Sequence, residues 1–257
     1  MRPIFSAAVL MIAFTDAAPA APKEEPLVLQ VKASIDRGVR YLKEIQRPDG
    51  SWEVNLADAR VHGGGTALAL LAMLNAGVPV EDRQLTAGLK YLRGLEPIGT
   101  YVRALQTMVF VEVGKDEDRQ RIHDNIKWLL DARVIKQGQL AGWNYEKGSH
   151  GPPDNSNTQY ALLGLWAGRQ AGVKMNRDIW ESIRDYYVRT QEREGDADGA
   201  WIYSSSNGPS GHNKASLTMT TAGLCGLLIA GMELNVGAEK IQPDGTATGG
   251  PGGLPMR

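Results

Sequence analysis

The amino-acid sequence predicts an all-α chain of four helical hairpins. Three observations point there: amphipathic segments alternate with segments that are apolar nearly all round, no stretch of useful length alternates at period two, and the apolar segments are rich in Ala and Gly. An amphipathic helix buries one stripe and an all-apolar helix is buried on most sides, so the pairing puts the first kind outside and the second inside. Stacked pairs form an open solenoid or close into a ring. Irregular spacing of the pairs and the small residues of GLWAG and TTAGLCGLLIAG, which let helices approach closely, favour the ring.

Each element follows from its pattern. Val28, Val31, Ile35, Val39, Leu42 and Ile45 recur at three- and four-residue steps, predicting a helix over Val28 to Gln46 with one buried face. The run TALALLAMLNAG from Thr66 is its apolar partner, ended by Gly77 in the C-cap role. Asp82 to Leu95 then precedes Thr100 to Val113, Asp116 to Arg133 precedes Asn157 to Ala171, and Asn176 to Gln191 precedes Ser216 to Met232. Thr66, Thr107, Thr158 and Thr221 are the threonines that recur along the inner helices, and no strand-turn-strand pattern is read.

Residues 1–20 place Arg2 before an apolar run from Ile4 to Phe14 and then Ala18-Pro19-Ala20, the pattern of a secretory signal cleaved after Ala20. Residues 21–34 read as a lead-in and the start of the first helix, 35–235 as the repeat domain, and 236–257 as a flexible Gly/Pro-rich tail. The expected location is secreted or periplasmic, with no transmembrane segment, because the N-terminal apolar run is too short to span a bilayer. With 28 basic against 29 acidic residues, interspersed, there is no basic stripe to meet nucleic acid. The single Cys225 forms no internal disulfide.

The stretch RGVRYLKEIQRPDGSW, from Arg37 to Trp52, carries a more specific signal. Its Arg37, Gly38, Tyr41, Leu42, Gln46, Gly50 and Trp52 return as Tyr186-Tyr187, Gln191, Gly199 and Trp201, more loosely as Trp128-Leu129, Gln137, Gly142 and Trp143, and as Gly88, Tyr91 and Leu92 alone in the second hairpin. This pattern resembles the QW repeat of squalene–hopene cyclases and the wider prenyltransferase and squalene-cyclase superfamily. The resemblance implies an α/α toroid, here incomplete, since a full ring of that family has about six hairpins. It also implies a structural role for the repeat: Gln46 satisfies carbonyls at a helix end, Pro48-Asp49-Gly50 turns the chain, and Trp52 packs on the adjoining hairpin.

The chemistry of that superfamily is missing. Cyclases of this kind protonate an alkene with an Asp of a D-x-D-D motif, and Asp196-Ala197-Asp198-Gly199 lacks the last acid. The zinc of the prenyltransferases needs an acidic residue two before a cysteine, where Cys225 has Gly223, and a thioester needs Cys-Gly-Glu-Gln, where Cys225-Gly226-Leu227-Leu228 stands. No cofactor and no metal are expected. What remains is a mouth formed by the loops that lead into the inner helices, holding His62, His150 and His212 with Tyr101, Arg103, Asp154, Asn157 and Gln159 as candidate ligand-binding residues. Capping of the helix by Asp154 to Asn157, loop histidines unrelated to one another, and Tyr160 and Trp166 as core are the structural alternatives. Two functions follow: an exported ligand-binding or scaffold domain, taking an apolar, isoprenoid or carbohydrate ligand, with a partner chain completing the ring, or a divergent enzyme of the same toroid, terpenoid cyclase-like or acting on polysaccharide.

Overall fold

The computed structural model describes residues 26–54, 57–204, 214–235, 240–241 and 247–248. Residues 1–20, expected to be a secretory signal, together with His212 and most of the tail, lie outside the described residues. Among the described residues eight α-helices run in chain order: α1 (Pro26–Glu44), α2 (Gly64–Asn75), α3 (Arg83–Arg93), α4 (Thr100–Val113), α5 (Arg119–Asp131), α6 (Asn155–Gln170), α7 (Arg177–Thr190) and α8 (Leu217–Asn235). The chain is all-α, as its periodicity predicts. α2, α4, α6 and α8 pack on one another in series, while α3 lies on α2, α5 on both α4 and α6, and α7 on α8.

Local sequence sets the boundaries. Asp82 caps α3 by accepting from Gln84 N at 2.9 Å, Gly77 sits at φ 81° just beyond α2, and a 3-10 turn at Asp116–Asp118 leads into α5. The small residues of the inner helices do what their size suggests. A β-carbon on Gly164 would lie 2.8 Å from the Ala104 backbone, and one on Gly223 would overlap the Trp201 ring. The main core runs through Leu70, Leu105, Phe110, Leu129, Leu162 and Leu165, all buried.

The tryptophans of the repeat are held alike in three hairpins. Trp52 N donates to Thr66 Oγ1 at 3.0 Å, Trp143 N to Thr158 Oγ1 at 3.1 Å, and Trp201 N to Thr220 Oγ1 at 3.3 Å. Each indole Nε1 donates to a carbonyl at the end of the preceding outer helix: Leu42 O at 2.7 Å, Leu129 O at 2.7 Å and Tyr187 O at 3.0 Å. One residue thereby staples an outer helix to the start of an inner one, and buries a large ring between them. Gln46 Nε2 bridges Gly50 O and Gln84 O at 2.9 Å each, and Gln191 Nε2 reaches Gly199 O at 2.9 Å.

Four expectations need correction. Gln137 is no repeat glutamine: it is exposed at φ 51° with Gly138 at 75°, in the two-residue turn of a β-hairpin, β1 (Val134–Lys136) and β2 (Gln139–Gly142). That hairpin was invisible to periodicity because its strands are only three and four residues long. The equivalent threonine of α8 is Thr220, since Thr221 is exposed and turns back to Leu217 O, and Thr107 likewise bonds Arg103 O. Finally, α1 buries none of its residues, and Leu27, Val28, Val31 and Ile35 remain exposed. Among the described helices α1 packs chiefly on α2, which leaves that stripe bare.

α8 is long and apolar enough, by length and composition, to cross a membrane. Its Met219, Ala222, Gly223, Gly226, Ile229 and Ala230 nevertheless pack into the protein, against α6 and α7, as a core helix does. In the tail, β3 (Lys240–Ile241) pairs with β4 (Ala247–Thr248).

Candidate functional site

The loops leading into the inner helices are pinned to one another in chain order. The backbone of Arg60, before α2, abuts Gly99, where a β-carbon would collide with the Arg60 carbonyl. Gly99 bridges Glu146, and Thr100, opening α4, donates its N–H to Tyr145 O at 2.8 Å and its hydroxyl to Asn144 O at 2.5 Å. Trp143 bridges Asp154, and Asn155, opening α6, donates through N to Tyr203 O at 2.8 Å and through Nδ2 to Ile202 O at 2.6 Å. The segment before each inner helix therefore fixes the next, and the four meet along one end of the helix array.

Side chains make a polar seam along that end. Asp58 holds the Arg60 guanidinium at 2.9 and 2.8 Å, and that guanidinium lies over the Tyr145 ring, 5.1 Å from its centre. Tyr145 OH and Tyr203 OH are 2.9 Å apart, and burial, followed by the Tyr145 hydroxyl and the charge of the Asp154 carboxylate, pushes the Tyr203 phenol pKa up. Asp154 Oδ1 caps α6 by accepting from Asn157 N at 2.7 Å, and Oδ2 accepts from Asn157 Nδ2 at 2.9 Å.

The proposed mouth residues divide among separate environments. Asp154 and Asn157 are buried in the seam, as the capping alternative has it. His62 turns to the outer layer, where its Nε2 lies 2.7 Å from Tyr91 OH. Arg103 runs to Asn125 Oδ1 at 2.7 Å and stacks over Trp128 at 5.6 Å, so it fastens α4 to α5. Tyr101 packs edge-on against Tyr160, ring centres 4.5 Å apart, and burial drives its pKa up to about 12. Gln159 is half-buried on α6, His150 is exposed in its loop, and His212 lies outside the described residues. Among the described residues no three His, Cys, Asp or Glu side chains gather as metal ligands.

Sequence reasoning missed Arg60, Tyr145 and Tyr203. A signal was present: Trp143-Asn144-Tyr145 and Trp201-Ile202-Tyr203 repeat a W-x-Y string that puts a phenol two residues past the buried indole. Glu53 was missed too; it is buried and caps α2 from a distance, accepting from Gly63 N and Thr66 N at 3.0 Å each and from Thr66 Oγ1 at 2.7 Å. A helix N-terminus favours the ionised form of a carboxyl, but at Asp154 burial outweighs it and the amide donors, and raises the carboxyl pKa. A carboxyl with a raised folded pKa makes ionisation cost stability at neutral pH, and that cost disappears as pH falls through the folded value toward the unfolded one. Asp154→Asn is therefore expected to stand better against wild type at pH 7 than at pH 4; chemical denaturation at the two values checks the sign. No protein-family model matches the chain, and no curated protein matches it.

Proposed function

We propose that the chain is an exported squalene-cyclase-like repeat domain, an incomplete α/α toroid that binds a ligand or partner at its seam of pinned loops and performs no cyclase chemistry. The threefold Trp–Thr and Trp–carbonyl staple carries this reading, because it gives the QW-type repeat a shared geometry in hairpins one, three and four. Series packing of the inner helices supports an array open between α2 and α8, and the bare stripes of α1 and of Leu224, Leu228 and Met232 on α8 are where a partner chain would complete a ring. Export rests on residues 1–20.

Alkene protonation needs a strong, desolvated acid. Asp154 is buried, yet both its oxygens are already engaged by Asn157, so neither is free to meet a double bond. The chain beginning at Ala21 is expected to yield no polycyclic product from squalene by mass spectrometry; product that Asp154→Asn abolishes would overturn the proposal. The raised carboxyl of Asp154 beside the Tyr203 hydroxyl favours a second reading, a polysaccharide hydrolase or lyase. Release of new reducing ends by wild type and not by Asp154→Asn would select it.

A further inference from the structure

Beside the seam, on its outer side, lies a cleft of about 710 Å³ between the end of α7, the β1–β2 hairpin and the loops before α6 and α8. That volume falls within the ~300–1,000 Å³ typical of small-molecule sites. Its floor is fixed from within: Tyr186 OH donates to Asn155 Oδ1 at 2.6 Å, while Asn155 N and Nδ2 hold the Tyr203 and Ile202 carbonyls. A ligand must therefore be gripped by the rim.

The rim is chemically divided. Lys136, Arg189 and Arg193 line it, and among the described residues none of the three has a carboxylate within ion-pair distance. The two arginines are oriented beforehand, Arg189 by the Leu140 carbonyl and Arg193 by the Val188 carbonyl at 3.0 Å, which lowers the ordering cost of meeting an anion. Glu192 and Glu194 on the same rim, two carboxylates against the three cations, would repel a bare polyanion but accept hydrogen bonds from hydroxyls. Pro153 and the Tyr203 ring supply apolar wall.

We infer that this cleft binds a short acidic saccharide. A uronic acid unit matches all three features: its carboxylate meets the cations, its hydroxyls meet Glu192, and its C–H face lies on the apolar wall. Phosphates match only the first. The inference rests on the ligand-binding reading above and names the ligand class.

Calorimetric titration of the chain from Ala21 with a galacturonate disaccharide, a neutral glucose disaccharide and inorganic phosphate tests it. The acidic disaccharide is expected to bind with a salt-dependent affinity, weakened about tenfold or more by Arg193→Gln and by Lys136→Gln, each side chain being worth at least one such step. The neutral sugar is expected not to bind. Arg189→Gln is kept as a secondary variant, with circular dichroism confirming the fold, because that side chain also fastens β2. No binding of the acidic disaccharide, equal binding of the neutral one, tighter binding of phosphate, or affinity unmoved by both rim variants would each overturn the assignment. Failure here with no squalene turnover removes the cleft alone; squalene turnover removes the binding-domain reading itself.

Discussion

Trp143→Ala is expected to destabilise the protein by about 4 kcal/mol, the range for truncating a fully buried aromatic. Trp143 is completely buried, its backbone N–H and indole N–H each have one partner, and those partners belong to an inner and an outer helix. The alanine variant would leave a cavity and an unpaired Leu129 carbonyl together. A thermal midpoint lowered by roughly 10 °C checks it, given the size of the domain. Trp201→Ala is expected to behave alike, whereas Trp143→Phe keeps most of the volume and should lose only about 1 kcal/mol for the hydrogen bond. If alanine at either position melts within a degree of wild type, the tryptophans are not the staples that the repeat makes them.

Arg93→Met is expected to cost about 3 kcal/mol or more. Asp118 is fully buried just ahead of α5, and its carboxylate receives Arg93 Nε at 2.8 Å and Nη2 at 2.7 Å. Arg121 stands 3.8 Å away, too far to replace that fork. Removing the guanidinium strands a charge in the interior, which costs far more than the pair itself is worth. A combined Arg93→Met, Asp118→Leu variant is therefore expected to recover most of the loss in urea denaturation. A combined variant no better than Arg93→Met would show that the pair's geometry, and not the stranded charge, governs the region.

The helices were legible because each is long enough for periodicity to accumulate. α2 through α8 begin and end within a few residues of where Gly77, Asp82, Asn176 and the apolar steps place them. The β1–β2 hairpin was not legible, since strands of three and four residues carry no period and its Gln137-Gly138 turn looked like part of a loose repeat. Burial of α1 was misjudged for a different reason: an apolar stripe in sequence says what a helix is able to bury, and only the neighbouring elements decide whether it does. The site shows the same division. Capping by the DNSNT stretch was readable, though with Asn155 or Ser156 as the acceptor where Asp154 takes the role, but the Arg60–Tyr145–Tyr203 line joins three loops far apart in the chain, and its distances depend on how the hairpins stack. Histidines drew attention as rare, versatile groups, while the residues that converge are tyrosines positioned by the tryptophan staples.

The bare stripe of α1 also sets how firmly the first hairpin holds. Its far end is moored: Leu42 O takes the Trp52 indole, Lys43 Nζ meets Asp82 at 2.5 Å, and Gln46 bonds Gln84 O. The opening turns, from Pro26 to Ile35, carry the Ser34–Gln30 and Arg37–Ser34 hydrogen bonds along the same helix. A single helix of that length is marginal in water without a partner face. Opening of α1 past Leu42 is thus coupled to the second hairpin, because it must break the Trp52, Asp82 and Gln84 contacts together.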